Sequence, residues 1–392
     1  MNRVCSIFAQ MMSFVPRTEF EKVVKEHRAE RHARGFECWT QFIAMMFCHL
    51  GRAQSLAEIT GGLAASEGKL RHLGVTAPPK KSTLAYANGH RPWQVYRALF
   101  ERLFRRLSAD VQHKTGRKFR FNNKLLSLDA TLIPVSLSAF DWAKYRRSKG
   151  AVKLHLVLDH DGYLPRFAAM TEGRTHEIQV ARQIEFEPGT LLVMDRGYAD
   201  AEWFLRLSEQ GVFFVTRLKD SAEYGIVEER RVPEQKARAG ILRDEVILLA
   251  KTQEAGPKAR LRRIEVWSEE RQETIVFLTN HLQLAAATVA AVYQDRWQIE
   301  LFFKALKQSL RLKTFVGTSA NAVAIQIWTA LIAMLLVKYL QLRSTHDWSL
   351  SNLVALLRQQ LFVYRDLMAW LNEPFAPPGG LDESAQMALP LE

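Results

Sequence analysis

Cysteine is scarce in this chain: Cys5, Cys38 and Cys48 are the only three in 392 residues, with no C-x-x-C pair and no His at zinc-finger spacing. That argues against a disulfide scaffold or a cysteine-held zinc site and fits a reducing cytosol. Met1–Arg17 lacks a basic start followed by an apolar block and a cleavage site, so no secretory leader is expected. Long apolar runs are missing as well. The most apolar stretch, Ile327–Val337, is too short to span a bilayer and reads as a buried helix. A soluble, cytoplasmic protein without a membrane partner is expected. A content of 48% hydrophobic and 24% charged residues is that of a globular chain, and at about 100–200 residues per domain the length suggests two to three domains.

Negative charge is scarce in one place only. Residues 1–120 hold 21 Lys and Arg against 9 Asp and Glu, whereas residues 121–392 hold 33 against 32. A basic first third joined to a balanced remainder suggests a polyanion-binding region that delivers a second activity to its target. Residues 1–120 carry helical signals. Phe42, Ile43, Met46, Phe47 and Leu50 recur at helical spacing, and Ser55 with Glu58 forms a capping box that opens a helix which Gly61 and Gly62 would weaken or shorten. Ala77–Lys81 reads as a turn with Ser82 capping the next helix. Lys80, Lys81 and Arg91 lie beside that turn, an arrangement compatible with a helix-turn-helix-like DNA reader or with a helical bundle that has a solvated basic face.

After the basic linker Lys114–Arg120 the texture changes to strands alternating with helices. Leu125–Leu128, Val152–Leu158, Leu164–Met170, Leu191–Met194 and Val212–Leu218 read as strands, with a hairpin at Asp159–Gly162. A mixed α/β sheet in 121–218 is expected, followed by a β-rich insertion in 219–283 with strands near Tyr224–Val232, Ile241–Ala250, Leu261–Trp267 and Thr274–Thr279. Residues 284–345 return to the first fold, and 346–392 form a helical segment and a tail, poorly ordered from Pro374.

Three acids stand out. Asp129 and Asp195 each follow a short apolar strand, where α/β sheets present functional groups. Around Glu300, a helix turning about 100° per residue places Tyr293, Arg296, Lys304 and Lys307 within about 40° of it, with an apolar flank elsewhere. Intrahelical pairs of Glu300 with Arg296 and Lys304 explain the charges. They do not explain the Tyr in line with them or the two upstream aspartates. Converging carboxylates make a hard-oxygen site for Mg²⁺ or Mn²⁺, and a pair of such ions about 4 Å apart stabilises both oxygens of an in-line phosphoryl transfer.

Tyr293-x2-Arg296-x3-Glu300-x6-Lys307 resembles the Y-R-E-K signature of IS4-family insertion-sequence transposases. Leu128-Asp129-Ala130-Thr131 and Met194-Asp195-Arg196-Gly197-Tyr198 are similar to the contexts of the first two acids of those DDE enzymes. The resemblance runs from about Asn122 to Leu340. It implies an RNase H-like mixed sheet with an all-β insertion, preceded by an all-α DNA-binding domain. It further implies Asp129, Asp195 and Glu300 as catalytic metal ligands, with Mg²⁺ or Mn²⁺ as cofactor. Tyr293, Arg296 and Lys307 would contact phosphates near the transposon end, and Trp267 would stack on a flipped base or else pack in the core. The implied partners are transposon-end and target DNA and a second copy of the chain, working at the nucleoid.

Beyond the signature, Lys304, Arg196 and Tyr198 are further DNA-contact candidates, as is the basic run Lys144–Arg147 with Lys149. His155, His176, Asp159 and Asp161 read as structural, and Glu172 and Glu177 as acids able to supplement the metal site. A nuclease of the same fold without strand transfer and a non-catalytic DNA-binding regulator are the competing classes.

Overall fold

The computed structural model describes residues 5–31, 33, 35–111, 118–135, 144–146, 149–234, 240–308, 310 and 315–376. The first part of the 114–120 linker, part of the 144–149 basic run and the tail from 377 lie outside the described residues.

Among the described residues, seven α-helices come first: α1 Ile7–Met12, α2 Arg17–Glu26, α3 Cys38–Leu50, α4 Leu56–Ala64, α5 Glu67–Leu70, α6 Lys81–His90 and α7 Gln94–Val111. Strands β1 Leu125–Val135, β2 Lys144–Arg146, β3 Lys149–Asp159 and β4 Leu164–Glu172 follow, then α8 Glu177–Ala181, β5 Leu191–Met194, α9 Ala201–Glu209 and β6 Phe213–Arg217. Next are β7 Tyr224–Glu229, β8 Ile241–Leu249, β9 Arg260–Ser268 and β10 Glu273–Thr279. The chain closes with α10 Ala286–Asp295, α11 Trp297–Gln308, α12 Ala320–Arg343, α13 Leu350–Gln360 and α14 Leu367–Asn372.

The ten strands form one mixed sheet in the order β2-β3-β1-β5-β6-β10-β9-β8-β7, with β4 also on β3. β1 is antiparallel to β3 and parallel to β5, and β5 is parallel to β6. The β-rich block is therefore not a separate sheet: β10 pairs with β6 and carries β9, β8 and β7 outward. In β5 all four residues are buried, as a run covered on both faces should be. Leu192 and Met194 meet Trp203 and Phe204 of α9, while Leu191 and Val193 meet Val289 and Val292 of α10.

Two local signals behave as expected. Ser55 Oγ accepts from the Glu58 N–H at 3.1 Å, and Asp159 Oδ1 accepts from the Asp161 N–H at 2.9 Å in the β3–β4 turn. Two others differ. The glycines do not shorten α4, which runs to Ala64. Gly62 is there because Phe47 is close: a Cβ would sit 2.7 Å from the ring. Helix α6 starts one residue before the expected cap, with the Leu84 N–H closing on Lys80 O at 3.0 Å.

The apolar stretch at 327–337 belongs to a much longer helix. α12 has 24 residues and is long and apolar enough to cross a membrane by length and composition, yet 89% of its apolar window is buried within the fold. It packs on α3, α6, α7 and β4. The core around it is continuous from Ile7 through Leu371, including Leu154, Leu156 and Leu158 of β3. The N-terminal helices thus share a core with the C-terminal ones and with one end of the sheet.

Candidate active site

The β1–β5 register places Leu128 opposite Met194, the last pair of that parallel ladder. Asp129 and Asp195 are the next residues on each strand and stand side by side. β1 continues to Val135, so Asp129 lies inside its strand; what ends there is the pairing with β5. Asp195 Oδ1 caps the following 3-10 turn Arg196–Tyr198 through the Arg196 N–H at 2.7 Å.

Glu300 arrives from the other side of the fold on α11. α10 ends at Asp295 and α11 starts at Trp297. Around Arg296 the bonds tighten: its N–H reaches Tyr293 O at 3.2 Å, and the Ile299 N–H reaches Arg296 O at 3.0 Å. The single straight helix assumed from the sequence is therefore interrupted at Arg296. Its guanidinium still faces the acids, with Nη1 3.3 Å from Asp129 Oδ2 and Nη2 2.5 Å from Glu300 Oε1. The same guanidinium lies 5.6 Å from the Tyr293 ring, and the Lys307 ammonium donates to Thr131 Oγ1 at 2.5 Å. Tyr293 and Glu300 both meet the Arg296 guanidinium, and Lys307 reaches the strand that carries Asp129.

Burial pushes the Asp129 carboxyl up to about 6. Arg296 and the Ala130 N–H oppose this, and Glu300 and Asp195 add to it. The donors of the cluster are hard oxygens, the type suited to Mg²⁺ or Mn²⁺. As it stands, no three His, Cys, Asp or Glu side chains among the described residues converge closely enough to hold a metal ion, and Arg296 lies between Asp129 and Glu300. In donor chemistry, though not in present spacing, three carboxylates are what a divalent cation takes. A folded-state pKa above the unfolded one means stability from this group is full below about pH 4 and is lost as pH rises through 6, at a cost of order 2–3 kcal/mol. Asp129→Asn is therefore expected to melt higher than wild type at pH 8 in EDTA, with the difference shrinking as pH falls and closing below about pH 4. Equal melting temperatures at pH 8 would contradict the burial argument.

The remaining candidates fall elsewhere. Arg196 and Lys304 are exposed, with Arg196 3.7 Å from Asp220, and among the described residues Lys304 makes no ion pair with Glu300. Lys80 and Lys81 are exposed at the start of α6. Trp267 is half-buried on β9 opposite Thr274, four strands from β1. Two expected DNA contacts need correction. Tyr198 is only 1% exposed, so it lies beneath the acids and not on a surface. Arg91 donates to Gln41 Oε1 and Phe36 O and covers the Phe36 ring, which makes it an internal brace. His155 is buried against Thr171 Oγ1, a structural role. Trp297, 54% exposed beside Arg296, was not singled out in the sequence, where an aromatic on an amphipathic helix looks like core.

Residues 120–336 match the family described as Transposase DDE domain, and residues 4–76 match one described as Domain of unknown function (DUF4372). A protein of Sinorhizobium fredii named as a transposase is 31% identical over 304 residues, 76% of this chain and 82% of its own length. A protein of Geobacillus stearothermophilus, named as the transposase for insertion sequence element IS5377, is 29% identical over 62% of this chain and 63% of its own length. A protein of Synechocystis, named as the transposase for insertion sequence element IS4SA, is 24% identical over 74% of this chain and 81% of its own length. Among solved structures, the piggyBac transposase synaptic complex with hairpin DNA matches with a TM-score of 0.44 at 9% identity, covering 91% of this chain and 78% of that one.

Proposed function

The chain belongs to the DDE transposases, and from that membership we propose that it frees 3′-OH ends at the terminal repeats of a mobile element and joins them to target DNA. Like its family it is a metal-dependent polynucleotidyl transferase. Asp129, Asp195 and Glu300 are assigned as the metal ligands, with Mg²⁺ as the cation and Mn²⁺ as its substitute. One observation carries the assignment: a single guanidinium, Arg296, joins Asp129 and Glu300 beside Asp195, where the β1–β5 ladder ends.

An RNase H-like reading is supported by the strand order β4-β3-β1-β5-β6. Three of these strands are antiparallel, the next two run parallel to β1, and α9 and α10 cover opposite faces. In this reading 1–120 is the DNA-binding region, 121–218 and 284–345 the catalytic part, 219–283 the insertion and 346–392 the closing segment.

Bound divalent cations would activate the attacking water or 3′-OH and offset charge at the phosphate. The chain's own side chains supply the rest. Arg296 holds the carboxylates together until phosphate oxygens compete for its five donors. Lys307, tethered to Thr131, fixes α11 against β1 and brings its charge to the DNA backbone, and the Tyr293 ring limits where Arg296 can swing. Lys304 and Arg196 extend the cationic rim, Lys80 and Lys81 take DNA at α6, and Trp267 stacks on a base displaced towards the insertion. A dimer bridging two ends at the nucleoid completes the proposal. The test is a donor DNA carrying the element's ends, a plasmid target and Mg²⁺. Cut ends joined to the plasmid are expected. Cutting without joining would make the protein a nuclease, and end binding without cutting would make it a regulator.

A further inference from the structure

One acid near this site has no part in the three-carboxylate assignment. Glu177 opens α8, directly after β4, and its Oε1 accepts from Lys153 Nζ at 3.2 Å, a lysine that also donates to Thr175 O at 2.8 Å. The other oxygen faces the turn that follows Asp195. A Cβ placed on Gly197 would lie 3.4 Å from Glu177 Oε2 and 3.9 Å from Asp195 Oδ2. Each carboxylate therefore has one oxygen anchored, Glu177 by Lys153 and Asp195 by the Arg196 N–H, and one directed at the same small open space.

A second feature points into that space independently. Tyr198 is 1% exposed, and its hydroxyl has no hydrogen-bond partner. It lies within electrostatic reach of Asp129, Glu177 and Asp195 together. A buried hydroxyl is normally paired, and one aimed at carboxylates whose free oxygens face each other is suited to an oxygen-rich ligand shell. An ion pair with Lys153 alone does not account for the Glu177 oxygen turned towards Asp195, or for the side chain missing at Gly197.

Building on the active-site reading above, we propose that Glu177 is a fourth metal-holding carboxylate: with Asp195 it takes a divalent cation over the face of Gly197, and the Tyr198 hydroxyl donates to that cation's oxygen shell. The cation class is Mg²⁺ or Mn²⁺, since the donors are carboxylate oxygens. Gly197 is then required for space, because any side chain there occupies the room between the two acids.

Mn²⁺ titration of the full chain without DNA, followed by electron paramagnetic resonance, tests this without relying on activity. Glu177→Gln and Gly197→Ala are each expected to weaken Mn²⁺ binding at least about tenfold at an unchanged metal-free melting temperature. Gly197→Ala keeps every carboxylate, and its new methyl sits at ordinary contact distance. Asp195→Asn serves as the reference. If Asp195→Asn loses Mn²⁺ while both other variants bind as wild type does, the fourth ligand is refuted and the three-carboxylate site stands. If Asp195→Asn also binds normally, the active-site reading falls and this inference with it. Weakening in Glu177→Gln alone, together with a lower melting temperature, assigns Glu177 a structural role and overturns the proposal.

Discussion

Glu300→Ala is expected to lower Mg²⁺-dependent end cutting by at least about 10³-fold while binding of the element's ends stays within about threefold. A bound cation is worth several kcal/mol of charge stabilisation in the transition state, and each 1.36 kcal/mol is tenfold in rate. If Glu300 holds the cation as proposed, removing it forfeits much of that. The fold should tolerate the change. The Glu300 side chain is about a third exposed, and its pair with Arg296 is of the i,i+4 type, worth a few tenths of a kcal/mol. Arg296 keeps Asp129 as a partner, so the guanidinium does not become an uncompensated charge. Lys304→Ala, one turn further along the same helix, is the matched control. It loses a rim cation without a metal ligand, so it should weaken DNA binding slightly and leave the rate of bound cutting intact. A gel assay of radiolabelled end DNA separates the two. Cutting by Glu300→Ala within tenfold of wild type would remove this residue from the catalytic set.

The site was more legible in the sequence than the architecture around it, and the reason is physical. Asp129 and Asp195 are marked by short apolar runs because an interior parallel strand is buried on both faces, a pattern that short-range reading detects. Arg296 and Glu300 are marked by helical spacing, which survives the tightening at Arg296 because one irregular residue rotates the face only slightly. What local reading could not supply was pairing. Nothing in Tyr224–Thr279 says whether its strands close on themselves or join an existing edge. That is decided by β6 offering Val215, Thr216 and Arg217 to β10, a contact between segments far apart in sequence. The same holds for the N-terminal helices. Their basic excess suggested a separate anchor, but the apolar residues that face α12 contribute nothing to charge counting, and they fuse the region to the rest. Tyr198 was misplaced for a similar reason: its position after Asp195 gives proximity to the site but not which way the ring turns.

The largest loss of stability is expected from Asp295→Ala, on the order of 2–4 kcal/mol, because it breaks a buried polar network at the junction that sets the site. The Asp295 side chain is 2% exposed and receives hydrogen bonds from Lys118 at 2.6 Å, from His160 Nδ1 at 2.6 Å and from the Tyr163 hydroxyl at 3.2 Å. His160 Nε2 in turn lies 2.6 Å from Ser127 Oγ. The Ser–His–Asp order is that of a nucleophilic triad, but Ser127 is fully buried inside β1 and meets no substrate. What the chain of bonds does is mechanical. Ser127 is two residues before Asp129 on the same strand face, and Asp295 is the residue before Arg296, so the network ties the strand of the first acid to the helix junction of the guanidinium. Burial raises the Asp295 carboxyl, but the bonds from His160 and Lys118 outweigh it and hold the group below the ordinary carboxylate range. Its contribution is thus present above about pH 4 and is lost as pH falls through the folded value. Urea unfolding at pH 7 should show the full loss in Asp295→Ala and a smaller one in Asp295→Asn, whose amide oxygen can still accept from His160. Because Arg296 is then held less firmly, the rate of cutting by folded Asp295→Asn should fall more than its affinity for end DNA. Equal loss of both would mean that the network only stabilises the fold and does not position Arg296 against Asp129.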